Sequence, residues 1–293
     1  MKVIVNALVA LALVACAIAR CAGAQVSQED LNTLNALRGH GNNPAGDVES
    51  QGGMLIQKHN DAESQGKIYF QMTETYGQSN WAADPVAVQK TIEYAQKALG
   101  FPLDPQKRLR LYCYWGDAIQ VAHRGAMGND LAAARPESVT PYLQGLRAAL
   151  QYNLPDDPPE IPRGGINLID RSPGGAENMR RAQLLQEARA KAAETAIRQG
   201  ELIQMREILI GQVVFLYSRK PFATDEIRAL ATQVIADDHL VGRLMGAVED
   251  AVNERTTTGG PGTPYMVKVI PKFLEPSQPA DAQQPATAVT AKP

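Results

Sequence analysis

An internal repeat constrains the fold of this chain more than any other feature. Residues 85–103 and 136–154 align without a gap at an offset of 51. Both stretches begin with a proline, which suits the first turn of a helix, and both carry apolar residues at helical spacing. Identical residues stand at four further paired positions: Val88 and Val139, Ala98 and Ala149, Leu99 and Leu150, and Leu103 and Leu154. Helical units that recur in this way cannot bury their apolar faces alone, so neighbouring units must stack.

The helix before each of these stretches repeats as well. Residues 69–76 (YFQMTETY) align with residues 112–119 (YCYWGDAI) at an offset of 43. The second unit has a loop that is 8 residues longer, around GAMGNDLAAAR, and this explains why the two offsets differ. The repeating element is therefore a pair of helices, and it predicts stacked helical hairpins over residues 61–155.

The second unit carries a more specific pattern of residues. Its first helix has the pattern large-x2-large-small-x2-large, formed by Tyr112, Trp115, Gly116 and Ile119. Its second helix ends with Ala-Leu, an aromatic residue and a proline, which are Ala149, Leu150, Tyr152 and Pro155. This pattern resembles the tetratricopeptide repeat, and the resemblance implies stacked helical hairpins. The units here are longer than the usual repeat of about 34 residues, and their loops are more open. Gly116 has a physical use in such a pair, because a residue without a Cβ lets the partner helix approach closely.

Helix signals outside the repeat indicate an all-α chain. Ser27 followed by acidic residues reads as an N-cap, and the Gly- and Asn-rich residues 39–53 predict a linker. A further helix is expected over residues 54–76. Five prolines and four glycines within residues 155–177 cannot continue a helix, so they predict a long surface segment between two helical halves, assigned to residues 156–177 and here named the crossing.

The second helical half follows the crossing. Residues 178–218 are dense in Ala, Gln, Glu and Arg and predict a helix that Gly200 divides in two. Thr224 begins another helix, and Asp238, in the turn Asp237-Asp238-His239, is expected to cap the last one. Residues 265–270 have strand-like character, and the tail over residues 275–293 is expected to be disordered. The organisation expected is an N-terminal helix and linker at 25–60, the repeat at 61–155, the crossing at 156–177, a C-terminal helical region at 178–254, and the strand-like segment with the tail at 255–293.

Residues 1–24 have the layout of a signal peptide. Lys2 precedes an apolar run, and the small residues AGA at 22–24 predict cleavage before Gln25. Two alternatives stay open: LVAC at residues 13–16 resembles a bacterial lipoprotein signal that is acylated at Cys16, and the run can also remain as an uncleaved anchor. The sequence thus predicts a periplasmic or secreted protein, or a membrane-anchored lipoprotein if Cys16 is acylated. Cleavage before Gln25 leaves Cys113 as the one thiol, for which a buried apolar position is expected.

Charge and motif content argue against several functions. The chain has 29 Lys and Arg and 31 Asp and Glu, so it lacks the cationic excess of a general nucleic-acid-binding protein. It contains no HExxH, phosphate-loop, dinucleotide-binding or nucleophile-elbow motif. The sequence therefore predicts no catalytic residue, no cofactor and no metal site.

The aromatic residues of the repeat have two interpretations. They can line a groove that binds a partner, or they can pack between the helices. The set comprises Tyr69, Tyr76, Tyr112, Tyr114 and Trp115. For Trp115 we expect a buried position in one core that is continuous with the leucines of both repeat units.

These observations favour a non-enzymatic scaffold that is exported to the bacterial envelope and binds a protein partner through the helical-repeat surface. One alternative is an enzyme or ligand carrier with its site at the junction of the crossing and the second half, near Asp170, Arg171, Arg180 and Arg181. Another is a structural envelope component that is anchored by lipid at Cys16. A deep cavity lined by convergent polar groups would favour the enzyme or carrier.

Overall fold

The structure is a computed structural model of the 293-residue chain, and it describes residues 25–37, 44–78, 84–127, 136–157, 159, 175–217 and 224–258. Every regular element in these ranges is helical. The α-helices are α1 (Gln28–Ala36), α2 (Pro44–Lys58), α3 (Ala62–Gly77), α4 (Pro85–Leu99), α5 (Pro105–Met127), α6 (Pro136–Ala149), α7 (Gly175–Tyr217), α8 (Thr224–Ile235) and α9 (Asp238–Thr258), and a 3₁₀ turn at Leu150–Tyr152 follows α6. The prediction of an all-α fold is confirmed for these residues.

Several predictions concern residues outside the described ranges. They are the signal peptide at 1–24 with Cys16, most of the crossing, the strand-like segment at 265–270 and the tail over residues 275–293. These stay predictions. None of the described helices combines the length and the apolar character that a membrane crossing requires.

The helices stack in the order of the chain. Each helix from α1 to α6 packs on the next one, and α1, α3, α5 and α7 also contact one another in that order. These four helices therefore form one continuous layer, and α2, α4 and α6 pack against it. Helix α8 packs on α6, and α9 packs on both α7 and α8. The stacked helical packing that the repeat predicts is present.

Side-chain caps fix the starts of several helices, as the sequence predicts. Ser27 Oγ accepts a hydrogen bond from the Asp30 amide at 3.1 Å at the start of α1. Asp84 Oδ1 accepts one from the Ala87 amide at 3.0 Å, directly before the proline that begins α4. At α9 the prediction is wrong by one residue, because the capping side chain is Asp237, whose Oδ1 accepts from the Leu240 amide at 2.8 Å.

The predicted linker over residues 39–53 is wrong for its second part, because α2 begins at Pro44. One of the glycines that suggested a linker, Gly52, has a packing role instead. A Cβ at Gly52 would lie only 2.6 Å from Met72 Cε, so the glycine lets α2 approach α3 closely. The single helix expected over residues 54–76 is also two helices, since Asp61 caps α3 by accepting a hydrogen bond from the Ser64 amide at 2.8 Å.

Helix α7 runs unbroken through Gly200, contrary to the prediction that this glycine divides it. The helix has 43 residues, which corresponds to a length on the order of 64 Å. A glycine in a helix interior costs only about 1 kcal/mol relative to alanine. The buried side chains that follow it, beginning with Ile203, stabilise the helix by more than this.

The core consists of three clusters rather than one. The largest joins α5, α6, α7, α8 and α9, and a second joins α1 to α4. A small third cluster contains Phe70, Ala95, Ala98 and Leu111, and Trp115 packs against it in a half-buried position. The expectation of one continuous core around Trp115 is therefore wrong. The reason is that Trp115 and Gly116 lie on different sides of α5. Trp115 faces α4, whereas the adjacent Gly116 faces α6.

The turn between α8 and α9 offers a test of backbone strain. Ala236 has a φ of 55°, a left-handed conformation that costs about 1–2 kcal/mol for a residue with a Cβ. We expect Ala236→Gly to raise the free energy of unfolding by about 1 kcal/mol, measured by chemical denaturation. The same substitution at exposed Ala229, inside α8, should instead lower it by about 1 kcal/mol. A loss of stability at both positions would contradict this explanation.

Candidate functional site

The aromatic residues that could line a groove fall into two stacked groups. Tyr69 and Tyr76 both stack on Tyr94 of α4, with ring centroids 6.0 and 5.8 Å apart. Tyr112 stacks on Trp115 with centroids 6.4 Å apart. Burial raises the pKa of the Tyr76 and Tyr112 hydroxyls, because the charged form is poorly solvated there. The rings of Tyr69, Tyr76 and Trp115 thus pack between α3, α4 and α5.

Tyr114, the fifth member of the set, lies apart from both groups. Its ring lies against Gly77 at the end of α3, where an added Cβ would come within 2.7 Å of the ring. The Arg110 guanidinium lies over the same ring, 6.0 Å from its centroid. Tyr114 consequently lies beside Arg110, a lining residue of the groove described next.

A groove crosses the continuous layer at α1, α3 and α5. Helix α3 forms its floor, α1 and the first turns of α5 form its sides, and its volume is about 230 Å³. Amides and basic side chains dominate its lining, which comprises Gln28, Leu31, Lys67, Phe70, Gln71, Glu74, Gln106, Lys107 and Arg110. Sequence reasoning missed this groove because its residues come from three helices and form no motif. The available signal was the polar face of α3, where Lys67, Gln71 and Glu74 recur at helical spacing.

The basic side chains of this groove differ in whether they form ion pairs. Glu74, its one carboxylate, pairs with Arg110 at 3.0 Å, and Lys67 pairs with Glu63 at 2.6 Å. Lys107 differs, since its Nζ lies over the Phe70 ring, 5.3 Å from the centroid, and no carboxylate of the described residues forms an ion pair with it. The groove therefore carries a cation whose charge is available to a ligand.

A second cavity, of about 280 Å³, lies where the crossing begins. It is bordered by the end of α6, the 3₁₀ turn, α7 and the start of α9. The lining residues are Ala149, Leu150, Asn153, Leu154, Asp156, Arg206, Asp237, His239, Leu240 and Arg243. The cavity thus lies between the two helical halves at the start of the crossing, whereas the sequence indicated a site near the end of the crossing, and it is built from other residues.

An ionic network fills one side of this junction cavity. Glu207 Oε1 accepts hydrogen bonds at 3.0 Å from Nε of Arg206 and from Nη2 of Arg243. Arg206 also donates to the carbonyls of Leu154 at 3.3 Å and Asp156 at 3.1 Å. The Arg206 and Glu207 side chains are each only 5% exposed. Because the network bonds residues 154 and 156 to α7, it fixes the start of the crossing in place.

The outer part of the network contains His239. Its Nε2 lies 3.1 Å from Asp156 Oδ2, and Arg243 Nη1 donates to Asp156 Oδ1 at 3.0 Å. The two arginines and the histidine of the cavity thus all have acidic partners. Of the four residues suggested for this junction, Arg180 is exposed on α7, the side chain of Arg181 is not described, and Asp170 and Arg171 lie outside the described residues.

The remaining candidate for chemistry is Cys113, which is buried in the largest cluster as the sequence predicts. Burial raises the pKa of its thiol, which disfavours the reactive thiolate. Within the part of the chain that the structure describes, no three His, Cys, Asp or Glu side chains converge as a metal site would require.

The fold and the two cavities define an all-α protein of stacked helices with one polar, cationic groove. The chain matches no protein-family model, and neither a curated protein nor a solved structure matches it at a significant level.

Proposed function

We propose that this protein is a non-enzymatic helical-repeat scaffold of the bacterial envelope that binds a protein partner in the groove across α1, α3 and α5. The observation that carries the proposal is the continuous layer of α1, α3, α5 and α7, because stacked helical pairs use such a layer as an extended binding surface. The resemblance to the tetratricopeptide repeat over residues 61–155 and the signal-like residues 1–24 support the binding role and the export.

The lining of the groove indicates the chemistry of the partner. Gln28, Gln71 and Gln106 present side-chain amides, which can both donate to and accept from a peptide backbone. Lys107 adds a positive charge without an acidic partner among the described residues. A protein segment that presents a carboxylate fits this surface best, since electrostatic complementarity fixes the position and the choice of partner.

Site-specific cross-linking in the cells that produce the protein tests this proposal. A photo-reactive residue at Gln106, in the groove, should cross-link a discrete partner. The same residue at Gln96, exposed on α4 outside the groove, should not. Adding Lys107→Gln to the Gln106 probe should lower the yield several-fold, whereas Lys191→Gln, on the exposed part of α7, should leave it unchanged. Equal yields from Gln106 and Gln96, or no product from Gln106, would reject the groove as the binding surface.

The alternative of an enzyme or ligand carrier draws on the junction cavity, which has a suitable size at about 280 Å³. Its charged groups, however, bind one another and the chain itself, through the contacts of Glu207 and Asp156. A ligand would have to displace these contacts, whereas the groove offers Lys107 directly. We therefore favour the scaffold.

A further inference from the structure

Helix α7 extends beyond the helices on which its second half packs, and its residues 183–195 are here named the arm. Every residue over 183–192 is exposed, so no described element packs on this stretch. Packing begins further along the helix, where Ala196 is buried and Arg198 Nη2 lies 3.7 Å from Asp104 Oδ2, directly before α5. The arm therefore has no packing partner among the described residues.

One side of the arm is nevertheless apolar. At 3.6 residues per turn, four apolar residues of the arm fall on this side, here named the stripe: Leu184, Leu185, Ala188 and Ala192. The two leucines are 57% and 52% exposed. The stripe continues on the same side of α7 into Ala196 and Ile203, which are buried. This is the pattern of a helix that packs along its whole length, so the exposed part of the stripe fits a contact with another molecule.

The charges beside the stripe indicate which molecule this is. Glu187 and Lys191 lie one turn apart on the same flank of the stripe. Glu187 accepts a hydrogen bond from Gln183 at 3.1 Å, and among the described residues no ion pair engages it or Lys191. A uniformly acidic or basic partner would meet one repulsive charge here. A second copy that runs in the opposite direction brings Glu187 of each chain beside Lys191 of the other.

We propose that the arm is a dimerisation surface, and that it packs antiparallel on the arm of a second copy across a two-fold axis near residue 189. Such a contact uses the same patch on both subunits, so every interaction occurs twice. The ion pair between Glu187 and Lys191 forms on both sides of the axis. The larger side chains of Leu184 and Leu185 then lie level with the small residues around Ala192 of the other copy, which lets the two helices approach closely.

The size of the contact predicts its strength. A single pair of short helices buries less than the total of about 1,200 Å² that stable protein interfaces need. The dimer is therefore weak and forms in proportion to the protein concentration. The groove across α1, α3 and α5 lies on other helices, so this proposal is independent of the proposed function.

Sedimentation equilibrium of the full chain over a rising concentration series tests the contact. The mean mass of the wild type should rise from that of a monomer towards that of a dimer. Replacing both leucines, by Leu184→Ser and Leu185→Ser, should raise the dissociation constant at least tenfold. The matched control is Ile197→Ser. Ile197 is 50% exposed, but it lies on the opposite side of α7, so this variant should associate as the wild type does.

A charge exchange tests the antiparallel arrangement. At low salt, Glu187→Lys alone or Lys191→Glu alone should raise the dissociation constant several-fold, because each brings like charges together across the axis. An equal mixture of the two single variants should associate as tightly as the wild type, since each lysine of one chain then meets a glutamate of the other. The double variant should associate as tightly by itself.

Three results would overturn the proposal. The first is a wild type that stays monomeric at every concentration, because solvent or a segment of the same chain would then occupy the stripe. The second is equal weakening by Ile197→Ser and by the two leucine substitutions, which would show that the dimer does not use the stripe. The third is a mixture of the two charge variants that associates no more tightly than either variant alone.

Discussion

Replacing Glu207 by leucine should lower the free energy of unfolding by about 3–5 kcal/mol, the usual effect of breaking a buried ion pair from one side. Glu207 accepts hydrogen bonds from both Arg206 and Arg243, and the Arg206 side chain is 5% exposed. Without the carboxylate, the Arg206 guanidinium stays buried with only two backbone carbonyls as partners. Urea denaturation followed by far-UV circular dichroism measures the change.

The matched control is an exposed pair with the same separation. Arg228 and Glu249 join α8 to α9 at 3.0 Å, and both side chains are about half exposed. Glu249→Leu should therefore change the stability by no more than about 1 kcal/mol. Similar losses for Glu207→Leu and Glu249→Leu would show that burial does not control the strength of these pairs here.

Gly116→Ala should also be strongly destabilising, by about 3 kcal/mol, the upper end of the usual range for overpacking. A Cβ at Gly116 would lie 2.5–2.7 Å from the two Cε atoms of the Tyr142 ring. The ring cannot rotate away easily, because Tyr142 donates a hydrogen bond to Asp117 at 2.6 Å and accepts one from Gln120. Burial and the Asp117 carboxylate both raise the pKa of the Tyr142 hydroxyl, so it remains a neutral donor.

The chain provides a control for the substitution itself. Gly246 lies inside α9 with no atom within 4 Å of an added Cβ. Gly246→Ala should raise the free energy of unfolding by about 0.5–1 kcal/mol, since alanine favours a helix more than glycine does. Thermal and urea denaturation of both variants give the comparison. If Gly116→Ala were as stable as Gly246→Ala, α5 and α6 would not be packed as described.

The features that the sequence predicted correctly depend on residues close together in the chain. The cap at Asp84 needs only the proline and the amide that follow, and the small residue at Gly116 was indicated by the repeat. Helix α2, in contrast, was not predicted, because the role of Gly52 depends on its contact with Met72 of α3, which the sequence does not reveal. Local signals cannot show that a glycine serves a contact with another helix.

The same limit applies to the candidate sites. The prolines and glycines of the crossing indicated a site near its end, whereas the junction cavity lies at its start and is built from other residues. Arg206 and Glu207 look like one more pair of charges on a solvated helix, and their role appears only when Asp156 and Arg243 meet them from distant positions. The groove has no local signal of its own, because Lys107 becomes significant only through its place over Phe70.

The unbroken α7 also decides which parts of the chain fold together. The side chain of Leu209 lies against Gly145 of α6, and the largest cluster spans the crossing from α5 to α9. The second cluster ends at α4. The two larger clusters are therefore divided between α4 and α5, where the small third cluster bridges them, and not at the proline- and glycine-rich segment that the sequence indicated. A fragment that stops at residue 155 would lose the residues of α7, α8 and α9 that share the largest cluster with α5 and α6. The first part to open in partial unfolding should be α1 with α2 and their neighbours, while α5 to α9 melt as a single unit.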